Sequence, residues 1–397
     1  MKRYALSLLL LFPISSSLIS CNKSEDPASA NGEAAPRFAL TNCILIDGTG
    51  ASPVSGAVVL VEAGYISSVG TDSTLAVPGG VDTIDLQGWY LLPGFMNTHV
   101  HSGYEVSNLR EWARRGVTTV RDLGDFQHSP SESYSIRDEL LKDNRNARLV
   151  AAGPLVTTVG GYGNYRVSSP VDAGLKVNGL IDAGADLIKI AIEDDLQGRR
   201  WPMLSMNEIQ MIVQSAHARS RRVSAHISRS RHLAMAIQGD VDDLAHMAVD
   251  TLPDSLIAAT VQNDIYWVPT MELWDGVSDL HSVNWDVIAK SNLGRFVQAG
   301  GKVALGTDYD GYTTPFELGM PIHEMRLMQE AGMTPMQIIM AGTKHAAHVC
   351  NREIDLGTVE AGKIADLLVV DGNPLEDLGN LLNVQMVIHN GVRIEGQ

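Results

Sequence analysis

The sequence predicts an α/β chain: a (β/α)8 TIM barrel carrying a small β-sandwich assembled from both chain ends. Three observations lead there. Between residues 93 and 348, apolar strand-like segments alternate with helical segments eight times, and such alternation implies a parallel sheet. That stretch is about 250 residues long, the dimension of a closed barrel. Residues 38–92 and 349–397 lack helical periodicity and read as short strands broken by Gly and Asp.

In chain order, the N-terminal β-segment offers Ala39–Ile46, Gly56–Glu62, Tyr65–Gly70, Asp82–Asp85 and Trp89–Leu91. The C-terminal segment offers Asp366–Asp371 and Val384–His389, then a turn at Asn390-Gly391 before Val392–Ile394. Neither set is large enough to be stable alone, so the two are expected to fold together. Barrel strands are expected to end at His99–His101, Thr118–Arg121, Leu149–Ala152, Leu187–Ile190, Val223–His226, Leu244–His246, Tyr266–Pro269 and Val303–Asp308. Helices lie between them, for example over Asn207–Ser220 and Ser230–Gly239, where apolar residues recur at helical spacing.

The bulk properties narrow the function. Of 397 residues, 45% are hydrophobic and 19% charged, the balance of a chain with a large core. A formal charge of −16 argues against a nucleic-acid partner, whose phosphates call for clustered Lys and Arg, and against electrostatic adhesion to anionic lipid. The three cysteines, Cys21, Cys43 and Cys350, form no C-x-x-C pair, so neither a zinc ribbon nor a thiol-redox motif is available. Cys43 and Cys350 read as buried apolar thiols. Any metal site must therefore be built from His, Asp, Glu and Lys.

The first twenty residues read as an address. Lys2 and Arg3 precede the apolar run Leu6–Leu11, which ends in Leu18-Ile19-Ser20-Cys21. This is the pattern of a secretory signal peptide and is too short for a membrane span. Leu-Ile-Ser-Cys resembles the lipobox of bacterial lipoproteins, which implies lipidation of Cys21 after removal of residues 1–20. Residues 21–37 are rich in Ser, Ala, Asn, Pro and Gly and read as a flexible tether. The expectation is an exported protein held at a bacterial membrane, on its periplasmic or outer face, by an N-terminal lipid alone.

The chemistry concentrates where strands end. Active sites of such barrels lie at the C-terminal ends of the strands. Here strand 1 ends in His99-Val100-His101, strand 4 carries Lys189 among apolar residues, and strands 5, 6 and 8 end at His226, His246 and Asp308. Residues i and i+2 of a strand share a face, so His99 and His101 can take one cation together. Several imidazoles with a carboxylate suit zinc or a similar divalent ion. Lys189 is costly to bury as a cation, and burial favours the neutral amine. A neutral amine can add carbon dioxide and so offer a carbamate that bridges two metals. The bland alternative is a lysine paired with Glu193 or Asp194.

Five segments carry a resemblance. Pro93-Gly-Phe-Met-Asn-Thr-His99-Val-His101, Ala225-His226, Leu244-Ala-His246, Gly306-Thr-Asp308 and Leu356-Gly-Thr-Val-Glu-Ala-Gly-Lys-Ile-Ala-Asp366-Leu-Leu-Val-Val are similar to motifs of the amidohydrolase superfamily. The likeness runs from about Ala39 to Val392 and is greatest to the imidazolonepropionase-like branch that includes metal-dependent Xaa-Pro and Xaa-Arg dipeptidases. It implies a metal-dependent hydrolase of carbon–nitrogen bonds, dipeptidase-like, acting on a small molecule or short peptide. It implies that His99, His101, Lys189 and Asp308 hold one metal, and that carboxylated Lys189, His226 and His246 hold a second. Both ions, zinc first among the candidates, would activate water, with Asp308 taking its proton and passing it to the leaving nitrogen.

Two departures bear on substrate. Where peptidase-like relatives carry Gly-Gly-His-Gly, this chain has Gly160-Gly-Tyr162-Gly163. Tyr162 can donate a hydrogen bond to a carbonyl or a developing oxyanion. After His226 come Arg229 and Arg231, either of which can clamp a substrate carboxylate. Tyr309 and Asp310 are candidates for the pocket wall, while His217, His232, His323, Glu324, His345 and His348 read as structural. Two other readings stay open: a mononuclear hydrolase of cyclic amides, and a surface lipoprotein that holds metal without catalysis. A homo-oligomer is also left open.

Overall fold

The computed structural model describes residues 37–310 and 316–394. The expected signal peptide, Cys21 and the tether as far as Pro36 lie outside the described residues.

The two chain ends meet in one eight-stranded sheet. Strand β1 (Arg37–Leu45) pairs antiparallel with β2 (Val54–Glu62), and β2 pairs with β3 (Tyr65–Thr71). The other edge of β1 is shared. Its first half runs parallel to β4 (Asp82–Asp85), and Ile44 and Leu45 run parallel to β5 (Tyr90–Pro93). A bulge between Leu40 and Cys43, with Asn42 at φ 54°, bends the strand at that change of partner. Strand β5 then pairs with β15 (Leu367–Val370), followed by β16 (Val384–His389) and β17 (Val392–Arg393). The sandwich expected from sequence is thus one hydrogen-bonded sheet that branches at β1. Its interior packs Leu40, Ala57, Val59, Val61, Leu367 and Val369 at alternating strand positions. Cys43 and Cys350 are both free and buried. At the boundaries, β1 starts at Arg37, which the sequence places in the tether, and α11 (Lys344–Val349) still includes Val349.

The central part alternates as expected. Strands β6 (Phe95–Val100), β7 (Val117–Asp122) and β8 (Arg148–Ala151) form one parallel sheet. A second contains β9 (Leu155–Thr158), β10 (Tyr165–Val167), β11 (Ile188–Ala191), β12 (Val223–His226), β13 (Asp243–Ala245) and β14 (Tyr266–Val268). Helices α1 (Val106–Arg114), α2 (Pro130–Leu140), α3 (Pro170–Ala183), α4 (Met206–His217), α5 (Ser230–Gln238) and α6 (Asp254–Gln262) connect them, and α7 (Met271–His281) and α8 (Trp285–Gln298) follow β14. Capping boxes start α4 at Ser205/Glu208 and α10 (Pro335–Gly342) at Thr334/Gln337. Helix α9 (Ile322–Glu330) precedes α10.

Two expected strands differ in form. The third is longer than its apolar run suggests and is broken between β8 and β9. Gly153 there sits at φ 74°, where an added Cβ would lie 2.3 Å from the Tyr134 hydroxyl. β8 therefore pairs with β7, while β9 pairs with β11. The eighth, Val303–Asp308, is not a continuous strand. It bonds on one side through Ala304 N to Trp267 O, and on the other through Thr98 N to Leu305 O and Asp308 N to His99 O. Those bonds carry the ladder from β14 to β6. On the far side, Asp186 N donates to Ala151 O, 3.0 Å away.

Candidate metal centre

The strand ends turn six ionisable side chains toward one opening. His99 is the penultimate residue of β6, and His101 follows one residue beyond the strand's end; their rings are 5.2 Å apart. His226 is the last residue of β12 and Lys189 the second of β11, both buried and both facing the cavity. His246 and Asp308 follow their strands with φ of 72° and 69°. L-residues seldom adopt that backbone, and its cost is tolerated mainly where a site needs a side chain aimed off the strand axis. The ring of His246 lies 4.7 Å from that of His99 and 4.6 Å from that of His226.

These groups approach one another without saturating one another. Asp308 Oδ1 is 2.9 Å from His99 Nε2 and 3.1 Å from His101 Nε2. Yet Asp308 Oδ1, both ring nitrogens of His99 and Lys189 Nζ are buried with no well-formed hydrogen bond among the described residues. Ligand atoms of His99, His246 and Asp308 all lie within 4.8 Å of one another. Orphaned buried polar atoms are costly in a folded protein unless something else pairs with them.

The other side of three of the rings is occupied. His101 Nδ1 is 3.1 Å from Gly124 O, His246 Nδ1 2.9 Å from Thr270 Oγ1, and His226 Nε2 3.3 Å from Glu193 Oε2. Such outer bonds set the tautomer and leave the inner nitrogen as a lone-pair donor. That leaves Nε2 of His101 and His246, and Nδ1 of His226, to face the centre. Burial holds His99 and His246 well below the usual imidazole range, so both are neutral. Burial alone would raise Asp308, but the surrounding histidines hold it well below the carboxylate range. Burial brings Lys189 down to about 7. Burial would lower His101 too, but Asp308 beside it raises it, so a metal there would displace a proton. The donor set of imidazoles, a carboxylate and an amine near neutrality fits divalent metal.

The pairing of Lys189 with Glu193 or Asp194 does not form. Glu193 instead accepts from the Asp194 and Asp195 amides and meets His226. Asp194 meets His232 at 2.9 Å and Arg231. Arg229 and Arg231 are not delivered to the opening. Arg229 lies 3.5 Å from Asp195 and Arg231 2.7 Å from the same carboxylate, because the Asp194-Asp195 turn after β11 faces the start of α5. The expected carboxylate clamp is not assembled.

Tyr162 does reach the site, its ring 4.8 Å from that of His226 and 5.6 Å from that of Trp201. Burial raises its phenol, which keeps the proton. Asp310 lines the cavity, whereas Tyr309 packs edge-on against Trp112. His217, His323, His345 and His348 are engaged with Asp242, Asp275, Val303 O and Arg222 respectively. Glu324 accepts the Met271 and Glu272 amides and so holds the first turn of α7.

Sequence reasoning misses Glu193 as the partner of His226, and Thr270 as the partner of His246. Glu193 stands in view four residues after Lys189, but that spacing suggests only a mate for the lysine. Thr270 carries no local signal. The opening leads into a cavity of about 1170 Å³ that also touches Trp274, Trp285, Phe126 and Leu273.

The chain is similar to known proteins. Over 226 residues the chain is 27% identical to ochratoxinase of Aspergillus niger, a match covering 53% of this chain and 45% of that enzyme. Thus the chain spans about half the length of the curated relatives it first matches. A solved Xaa-Pro dipeptidase with bound methionine superposes with a TM-score of 0.79 at 24% identity, over 91% of this chain and all of that one. A putative prolidase from Bifidobacterium longum gives 0.78 at 25%, over 92% and 96%. The model of the amidohydrolase family matches residues 90–394, from β5 to the end of the C-terminal strands. With that match spanning the barrel and every residue of the centre, the chain belongs to the amidohydrolase family.

Proposed function

We propose that this protein hydrolyses an amide bond of a small molecule or short peptide, using two divalent metal ions. One observation carries the reading: three buried groups from different strands, His99, Lys189 and Asp308, have polar atoms with no well-formed hydrogen bond at the point where His101, His226 and His246 converge. His99, His101, Lys189 and Asp308 would hold one ion. His226, His246 and Lys189 would hold the other, the lysine amine having added carbon dioxide to form a carbamate with loss of one proton. Bound metal supplies Lewis acidity, which lowers the pKa of water and polarises a carbonyl; zinc suits the donor set.

The chain's own residues do the rest. Asp308 is held ionised and is placed to accept a proton from attacking water and return it to the leaving nitrogen. Tyr162 keeps its phenolic proton and donates a hydrogen bond toward the carbonyl oxygen. The amidohydrolase family, and the dipeptidase, prolidase and ochratoxinase among its likenesses, support an amide as the bond broken.

The test is to load the protein with zinc and bicarbonate and screen dipeptides and N-acyl amino acids for released amine. Turnover confined to one class of amides establishes the reading. Silence across the library with two metals bound per chain overturns it.

We further propose export and lipid attachment at Cys21, on the basic start, the apolar run and Leu18-Ile-Ser-Cys21. Among the described residues no helix is long and apolar enough to cross a membrane. Labelling with a radioactive fatty acid in a bacterial host checks this; label that survives Cys21→Ser would contradict it.

A further inference from the structure

The wall of the cavity carries a second reading, which rests on the amide-hydrolase proposal and narrows its substrate. We infer that the site takes amides bearing a bulky aromatic group, seated against α7 and the start of α8.

The first observation is size. At about 1170 Å³ the cavity exceeds the roughly 300–1,000 Å³ of pockets that hold drug-sized ligands. A dipeptide of small residues would leave most of it to water.

The second is the chemistry of one wall. Leu273, Trp274, Val277 and Leu280 line the cavity from α7 at positions i, i+1, i+4 and i+7, a single apolar stripe along the helix. Trp285 joins from α8, its ring edge-on to that of Trp274 at 5.7 Å and 86°. An apolar stripe facing a cavity costs roughly 25 cal/mol per Å² left wet. Leu280 is 70% exposed there, and no other element of the described chain covers it.

The third is position. The Trp274 ring is 5.9 Å from the ring of His246, so the apolar wall begins beside the metal ligands and not at a distant rim. An aromatic group attached next to the scissile amide would meet that wall while the amide meets the centre. Edge-to-face packing with two indoles favours a flat aromatic ring.

The fourth is charge. No arginine is among the described residues lining the cavity. Arg229 is turned onto the face of Trp285, 5.7 Å from the ring centroid, and toward Asp195. This holds the indole in place and removes the guanidinium from service as a carboxylate clamp. Apart from His281 at the end of α7, the α7–α8 wall thus offers contact area to a ring and no counter-charge to an acid.

The experiment compares acetyl, benzoyl and 2-naphthoyl amides of glycine, and glycyl-2-naphthylamide, on the zinc-loaded full-length protein. The expected result is a kcat/KM for one of the naphthyl substrates at least about 100-fold above that for the acetyl compound. Leu273→Asp should cut that ratio at least tenfold. Leu280→Asp, at an exposed position where folding is not at risk, should cut it in the same direction. In parallel, calorimetry with 2-naphthoate and 2-naphthylamine reads binding without catalysis, and burial of apolar surface gives it a negative heat-capacity change. Equal kcat/KM across the series, with no naphthyl binding, overturns the inference and leaves amide hydrolysis intact. Naphthyl binding that Leu280→Asp weakens, with no amide turned over, supports the aromatic wall and overturns the proposed reaction instead.

Discussion

Two clusters of buried charge share the barrel interior, and they are finished differently. Arg121 donates to both oxygens of Asp243 at 2.9 Å, and to Thr98 O and Val349 O. Asp243 also accepts from Ser224 Oγ at 2.6 Å. Every charge there has its partner. Lys189 sits on the same row of the sheet, in register with Ser224, which is itself in register with Asp243. Its amine has no hydrogen-bond partner among the described residues, nor does Asp308 Oδ1 or either nitrogen of His99 make a well-formed bond. Pairing, more than burial, therefore separates two roles. The closed cluster holds strands together, whereas the open one leaves donor atoms for a ligand.

The comparison breaks most sharply at Lys189. Lys189→Ala should abolish one of two bound metals and reduce kcat by about 10⁴-fold or more, while the fold survives because the amine hydrogen-bonds to nothing in the described chain. Metal analysis and circular dichroism on the same sample check both halves. A variant that keeps two metals and full rate would favour the mononuclear reading.

The closed cluster should show the reverse pattern. Asp243→Ala leaves the Arg121 guanidinium buried and unpaired, at about 3–5 kcal/mol of stability. Denaturant unfolding reads that loss. Replacing both partners with apolar residues (Arg121→Met with Asp243→Leu) should recover most of it. Failure to recover would mean that the hydrogen bonds to Thr98 O and Val349 O matter more than the ion pair.

A smaller effect lies between the two clusters. Glu193→Gln removes the carboxylate that orients His226, and metal affinity should fall by about 10–100-fold. Competition against a chelating dye measures this. Thr270→Val acts likewise on His246 but removes only a neutral hydroxyl, so its effect should be the lesser of the two.

A further effect concerns a buried acid with no cation beside it. Burial pushes Glu324 up to about 8 from an ordinary 4.5. A carboxyl raised in the folded state takes up a proton on folding. The stability it contributes is complete below about pH 4.5 and is lost as pH rises through about 8. Glu324→Gln cannot titrate, so its thermal midpoint should vary less than the parent's between pH 5 and 8. A steeper decline in the variant would contradict the assignment.

Much of the fold is legible in the chain's local patterns. β4 and β16 fall where short strand-like runs between turn residues predict them, and β12 ends at His226 as its apolar run does. The third and eighth strands are less legible. One is broken at Gly153, and the other is defined by hydrogen bonds from β14 and β6 more than by its own residues. The arginines after His226 mislead because proximity in sequence to a ligand is not proximity to the pocket. Asp194 and Asp195, more than thirty residues earlier, capture both.

The sequence by itself determined the eightfold alternation and the chemical types at the strand ends, because strand periodicity and residue chemistry are local properties of the chain. Tertiary structure alone decided which nitrogen of each histidine faces inward, which charges were already paired, and how wide the cavity is. Those depend on partners brought from distant strands: Gly124 O for His101, Glu193 for His226, Thr270 for His246. No local pattern encodes a hydrogen bond that exists only once the barrel's strands lie side by side.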